Sequence, residues 1–169
     1  MGFCFAQLKL LAEQTLANEN HTMADVFRTT RRVEFRETDA AGIAHFTSFF
    51  AYMEEAEHAL LRQLGTSVVA LTEQGKISWP RVSASCDYTS PVRFEDDLNI
   101  EVRVDHLGKK SVTYAFWFFH QRNEVAKGQL TSVCCHLPPE KAMQAIDIPP
   151  TLVAGLSSFQ VHKDAPPTG

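Results

Sequence analysis

Residues 111 to 119, Ser-Val-Thr-Tyr-Ala-Phe-Trp-Phe-Phe, carry bulky groups at almost every position of one extended segment. Successive side chains of a strand point to opposite faces, so a strand that is apolar at both parities needs cover on both sides. The stretch Gly128-Gln-Leu-Thr-Ser-Val-Cys-Cys-His-Leu137 repeats the pattern. A sheet containing these two strands has a helix of its own chain on one face and, as the expected second cover, another subunit on the other.

The helix is legible upstream. Apolar residues at 46, 49, 50, 53, 56, 60, 61 and 64 recur at spacings of three and four, which predicts one helix of about five turns. Gly65 stands where a C′ residue ends it, and Thr47 and Ser48 are the N-cap candidates. Ahead of it, residues 26–37 read as a strand ending at Thr-Asp-Ala-Ala-Gly. After it, Thr-Ser-Val-Val-Ala-Leu-Thr-Glu-Gln-Gly reads as a second short helical piece.

Residues 81–88 and 97–104 then alternate, with Val82, Ala84, Cys86 and Tyr88, and Leu98, Ile100, Val102 and Val104, forming the inner faces. His-Leu-Gly-Lys-Lys and His-Gln-Arg-Asn-Glu have hairpin length. The expected architecture is strand, long helix and a four-strand antiparallel meander, an α+β arrangement. Residues 1–24 form an N-terminal extension, 25–137 the domain, and 138–169 a proline-punctuated tail with one short helix near Thr151-Leu-Val-Ala-Gly-Leu.

A chain of 169 residues with 44% hydrophobic composition builds one core, and a net charge of -4 argues against a nucleic-acid binder, leaving a small molecule or a partner protein as the ligand. The four cysteines form no CxxC pair, which fits reduced thiols in a cytoplasmic protein. Cys134, Cys135 and His136 are consecutive and do not converge on one metal ion. The apolar start of the chain lacks a cationic lead and is too short for a signal peptide or membrane span. The first 22 residues are either a helical extension or lie upstream of a true start at Met23.

The run Phe35-Arg-Glu-Thr-Asp-Ala-Ala-Gly-Ile-Ala-His-Phe-Thr-Ser-Phe-Phe50, followed by Ser85-Cys-Asp-Tyr-Thr-Ser-Pro-Val-Arg-Phe-Glu-Asp-Asp97 and Leu107-Gly-Lys-Lys-Ser-Val-Thr-Tyr, resembles hotdog-fold acyl-CoA thioesterases of the 4-hydroxybenzoyl-CoA thioesterase type. The resemblance runs from about Phe27 to Leu137. It implies an antiparallel sheet wrapped around one long central helix, subunits joined edge to edge as dimers or dimers of dimers, an acyl-CoA substrate at the interface, and no cofactor or metal. Carried over residue by residue, the catalytic acid falls on Asp39 and the oxyanion-holding backbone amide on Phe46. Gly42, His45, Thr47 and Phe49 become substrate contacts, and Lys109 and Lys110 candidates for the CoA phosphates.

A helix start offers unpaired N–H groups and partial positive charge to a developing oxyanion. A carboxylate beside it serves as nucleophile or as general base, and both routes use Asp39. The phenylalanines supply an apolar wall. Neither Phe46 nor Phe49 offers a phenol to a hydroxyl-bearing substrate such as a 4-hydroxybenzoyl group, so a plain acyl or aryl group fits at least as well.

Each residue also has a structural reading. Asp39 suits a turn, His45 helix entry, Thr47 and Ser48 capping, and Lys109 and Lys110 a solvated hairpin tip. Glu57 falls in the middle of the apolar stripe and so requires an ion pair or an inter-subunit contact. Two other functions compete: an acyl-carrier-protein thioesterase docking through Arg28, Arg31 and Arg32, and a non-catalytic acyl-CoA-binding module.

Overall fold

The computed structural model describes residues 24–73, 75–139 and 142–161. Nearly all of the N-terminal extension, residues 1–23, lies outside the described residues. The elements are β1 (Phe27–Arg32), a 3-10 turn (Phe35–Glu37), α1 (Ser48–Gln63), β2 (Val69–Thr72), β3 (Gly75–Ser78), β4 (Arg81–Tyr88), β5 (Asp97–Leu107), β6 (Ser111–His120), β7 (Asn123–Val133), β8 (Cys135–His136), β9 (Gln144–Ala145) and α2 (Pro150–Ser157). The chain is α+β, as expected, with two helices among the described residues, the long α1 and the short α2 of the tail.

Five strands form the main antiparallel sheet in the order β1-β5-β6-β7-β4. This corrects the four-strand meander: β5, β6 and β7 follow one another, but β4 pairs with β7. The ten-residue span Tyr88–Asp97 explains it, because Pro91 and a connection of this length suit a crossover over the sheet end better than a tight hairpin. The hairpin between β6 and β7 turns on Gln121 and Arg122, whose φ values of 47° and 72° give the paired positive angles of a two-residue turn.

Helix α1 packs on one face of this sheet. Phe49, Tyr52, Met53, Ala56, Glu57, Leu60 and Leu61 are buried. Gly128 on β7 lies directly beneath it, where a Cβ would collide with the Met53 sulfur and the Ser85 carbonyl. The helix closes in a Schellman motif: Thr66 N–H donates to Leu61 O at 3.0 Å and Gly65 N–H to Arg62 O at 3.0 Å, with Gly65 at φ 75°. Phe46 belongs to the turn ahead of the helix and is 57% exposed, whereas Tyr52, outside the predicted stripe, is fully buried.

The two faces of β6 are covered unequally within the chain, the second only in part. Val112, Tyr114, Phe116 and Phe118 are buried, and Phe118 meets Phe49 of α1 edge to face at 5.2 Å. On the opposite face half-buried Trp117 is flanked by the cations of Arg103 (5.4 Å) and Lys127 (5.2 Å).

The segment read as a second helical piece is instead the β2–β3 hairpin. Val68 and Val69 are β-branched, the Schellman turn has just ended a helix, and Gly75 at φ 95° supplies the reversal. This hairpin joins β8 and β9 in a second sheet. The tail helix is present as α2, with Pro150 at its first position and Leu152 and Leu156 buried. Residue Gln160 then bridges Val104 of β5 in parallel, extending the sheet past β1.

Candidate active site

The loop between β1 and α1 is a narrow reversal. Thr38 bridges Ala44, Asp39 N–H donates to Ile43 O (2.9 Å), and Gly42 N–H returns to Asp39 O (2.9 Å). Asp39 Oδ1 accepts from Ala41 N–H at 2.8 Å, closing an Asx turn. The structural and the chemical reading of Asp39 therefore occupy one side chain, with the second carboxylate oxygen uncommitted to the turn. Gly42 has φ 72°, and a Cβ there would meet nothing within 4 Å, so glycine is required for the backbone angle and not for packing.

Glu37 fastens this loop to the rest of the molecule. Its carboxylate accepts from Arg31 Nη2 (2.5 Å), Tyr52 O–H (2.8 Å) and Glu34 N–H (2.8 Å). Its carbonyl accepts from His45 N–H (2.7 Å) and Ser48 O–H (3.1 Å). Burial alone would push the Glu37 carboxyl up, but the hydrogen bonds from Glu34, Tyr52 and Arg31 outweigh it and hold it below its ordinary value. Tyr52 is pushed the other way, first by burial and then by donating to that carboxylate.

The helix start differs from the capping expected of it. Thr47 occupies the N-cap position but is helical itself (φ -71°, ψ -21°) and makes no side-chain cap. In that conformation its hydroxyl turns to His45 Nδ1 at 2.6 Å, and Ser48 goes to Glu37. Thr47 N–H also points at His45 Nδ1 (3.3 Å); a backbone N–H only donates, so Nδ1 is the acceptor of that contact. His45 stacks on Phe46 with ring centroids 4.5 Å apart. The Phe46 N–H has no acceptor among the described residues, while its carbonyl accepts the Tyr88 phenol at 2.8 Å.

Asp39, Gly42, His45, Phe46 and Thr47 therefore lie on one continuous surface loop. Phe49 does not line it: it is 3% exposed and enclosed by Tyr52, Tyr88 and Phe118. Lys109 and Lys110 lie elsewhere. Strand β5 runs from Asp97, opposite Arg32 at the end of β1 that leads into the acid turn, to Leu107, and at about 3.3 Å per residue the lysine turn lies roughly 30 Å from that end. There Lys110 Nζ donates to Ala145 O at 3.2 Å. Tyr88 and Glu37 went unmarked in the sequence. The apolar parity of Tyr88 on β4 was the available signal for one, and a second acid two residues before Asp39 for the other.

Arg28, Arg31 and Arg32 do not form a free basic patch, since they pair with Glu101 (2.9 Å), Glu37 (2.5 Å) and Asp97 (2.9 Å). Two concavities of the described residues, of about 150 and 460 Å³, lie beside β1 and include neither Asp39 nor Phe46. Exposed aromatic surface gathers nearer the loop: Phe35 (75% exposed) meets Phe94 (47%) edge to face at 5.8 Å.

The chain is similar to known proteins of one kind. A putative esterase of Aquifex aeolicus is 32% identical over 97 residues, covering 57% of this chain and 75% of its own. The 1,4-dihydroxy-2-naphthoyl-CoA hydrolase of Synechococcus elongatus is 30% identical over 113 residues, covering 66% and 82%. The solved structure of BH1999 gentisyl-coenzyme A thioesterase superposes with a TM-score of 0.66 at 29% identity, over 78% of this chain and 99% of that one. The model of the Thioesterase-like superfamily matches residues 33–156, from just after β1 into the tail helix, and the chain belongs to that family of thioester-cleaving enzymes.

Proposed function

We propose that this protein hydrolyses acyl-CoA thioesters to the free acid and CoA, with Asp39 as nucleophile or general base and the Phe46 N–H as oxyanion donor. The observation that carries the reading is the open Phe46 amide on the same loop as the Asp39 carboxylate, just ahead of the α1 amino terminus. On the nucleophilic route, Asp39 attacks the thioester carbonyl, the CoA thiolate leaves and is protonated, and water cleaves the resulting anhydride. On the general-base route, Asp39 takes the proton of the attacking water. Charge develops on the carbonyl oxygen in both.

The acyl group we propose is aromatic. The relatives named for 1,4-dihydroxy-2-naphthoyl-CoA and gentisyl-coenzyme A support this, as do the exposed rings of Phe35, Phe46 and Phe94 near the loop. The CoA ester is preferred to a carrier-protein substrate because the three arginines that would dock an acidic carrier are already neutralised by carboxylates.

The site is completed by a second subunit in this proposal. Edge strand β4 leaves Val82 63% and Tyr88 43% exposed, and it ends beside Phe46. Pairing of two β4 edges provides the dimer, with two dimers forming a tetramer, and lysines such as Lys109 and Lys110 then serve a site other than that of their own chain. A cytoplasmic setting fits the free thiols of Cys86, Cys134 and Cys135.

The test is thiol release from a panel of aroyl-, short-chain and long-chain acyl-CoAs by the wild type and Asp39→Asn. Release from aroyl-CoA that vanishes in the variant supports the proposal. No release from any ester by folded protein overturns it.

A further inference from the structure

The Phe46 N–H lies outside the helix ladder, in a turn whose direction has to be held by something. A trans peptide is planar, with its C=O and N–H pointing opposite ways. His45 O accepts Ser48 N–H at 2.9 Å, which turns the Phe46 N–H outward. The next peptide is held at both ends, with Phe46 O accepting from Tyr88 O–H (2.8 Å) and Thr47 N–H directed to His45 Nδ1 (3.3 Å). Of these contacts, those from His45 and Ser48 are local and move with the turn. The Tyr88 contact comes from a strand 42 residues away, so it sets the height of the turn above the sheet.

Tyr88 is itself well anchored. It sits opposite Ala126 on β7, which in turn sits opposite Phe118 on β6. The small Ala126 leaves a gap between the two rings, and Phe49 descends into it, meeting Tyr88 and Phe118 edge to face at 5.2 Å each. The ring is clamped by the helix while its hydroxyl reaches the turn at the helix start. Burial raises the phenol above its ordinary value, so it stays protonated, and hence a donor, through the neutral range.

We infer that Tyr88 is a positioning residue, a tether from the β4 edge that keeps the Phe46 N–H aimed at the substrate's carbonyl oxygen. The inference rests on the thioesterase reading above. It also links the site to assembly, since the tether belongs to the strand proposed to join subunits. A tether of this kind acts on the transition state, where charge reaches the oxygen, more than on substrate binding.

Tyr88→Phe keeps the ring and its contact with Phe49 and removes only the hydroxyl. The expected result is a kcat lower by roughly 10-fold with KM changed less than about twofold. Faster hydrogen exchange at the Phe46 and Thr47 amides, with an unchanged melting temperature, accompanies it. A merely structural role predicts the reverse, a lower melting temperature and a normal kcat. If Asp39→Asn is inactive while Tyr88→Phe matches the wild type in kcat and amide exchange, the tether is overturned and the thioesterase stands. If the wild type cleaves no thioester, the functional reading falls and takes the tether's catalytic role with it.

Discussion

Arg81 Nη2 lies 2.5 Å from Glu57 Oε2, closing an ion pair over a carboxylate that has no exposed surface. Glu57 projects from the middle of the apolar face of α1, and its other oxygen accepts Ser132 O–H at 3.1 Å. Arg81 reaches it from the first residue of β4 and also meets Glu54 at 3.3 Å. The pair therefore joins the helix to the edge strand that carries Tyr88 at its other end.

Removing Arg81 leaves a buried charge without its partner. Arg81→Ala is expected to cost about 3–5 kcal/mol at neutral pH, measured by urea unfolding. Burial raises the Glu57 carboxyl above its ordinary value of 4.5, only partly opposed by Arg81 and Ser132. A raised pKa means that the folded state binds the proton more tightly, so this contribution to stability is full below about 4.5 and declines as pH rises through the folded value. Glu57→Gln is expected to remove that decline, and an unchanged pH profile of the variant would show that Glu57 is not its source.

Glu37 behaves in the opposite sense. Its carboxyl is held low, so its stabilisation is present above the unfolded value of 4.5 and lost as pH falls through the lower folded value. Glu37→Gln is expected to cost about 1.5–3 kcal/mol at pH 7, the range of a hydrogen bond to a charged group, and much less in acid. Thermal melts at pH 7 and pH 3 give the comparison; equal losses at both would refute the assignment.

Asp39→Asn retains an oxygen able to accept the Ala41 N–H, so the Asx turn and the fold survive. Turnover of the best acyl-CoA is expected to drop roughly 10²- to 10⁴-fold, with ligand affinity close to that of the wild type by calorimetry. A variant with near-normal turnover would remove Asp39 from the chemistry.

At Gly42 the backbone angle of 72° has no steric reason among its neighbours. Gly42→Ala should cost about 1–2 kcal/mol from conformation alone, and Gly42→Asn less. Denaturant midpoints decide this, and an equal cost for both would point to a contact absent from the single chain.

Val82→Lys places a charge on the open β4 edge, where Val82 is 63% exposed. Halving of the molecular mass in sedimentation, with the protein still folded, is the expected outcome. An unchanged mass would move the subunit contact to another edge.

Much of the architecture was readable because it depends on short spacings. The apolar stripe places α1, Gly65 ends it, alternation marks β4 and β5, and Pro150 opens α2. Errors arose where a local pattern was ambiguous. Residues 69–72 have neither the length nor the periodicity to separate helix from strand, and the β2–β3–β8 pairing decided it. The hydroxyls of Thr47 and Ser48 were assigned to caps by residue type, but a helical Thr47 cannot present its side chain to its own helix start, and both found other partners.

By itself the sequence determined the type and order of most elements, the acid turn at Asp39, and the need to pair Glu57, since these follow from periodicity, turn chemistry and the cost of burying a charge. Tertiary structure alone decided which partners meet. Strand β4 lies against β7, which brings Tyr88 to Phe46 across 42 residues and Arg81 to Glu57 across 24, while Lys109 and Lys110 end at the far side of the sheet from Asp39. Side-chain direction repeats every two or four residues and can be read along the chain. Strand order is settled by how the whole core closes, and no local spacing records it.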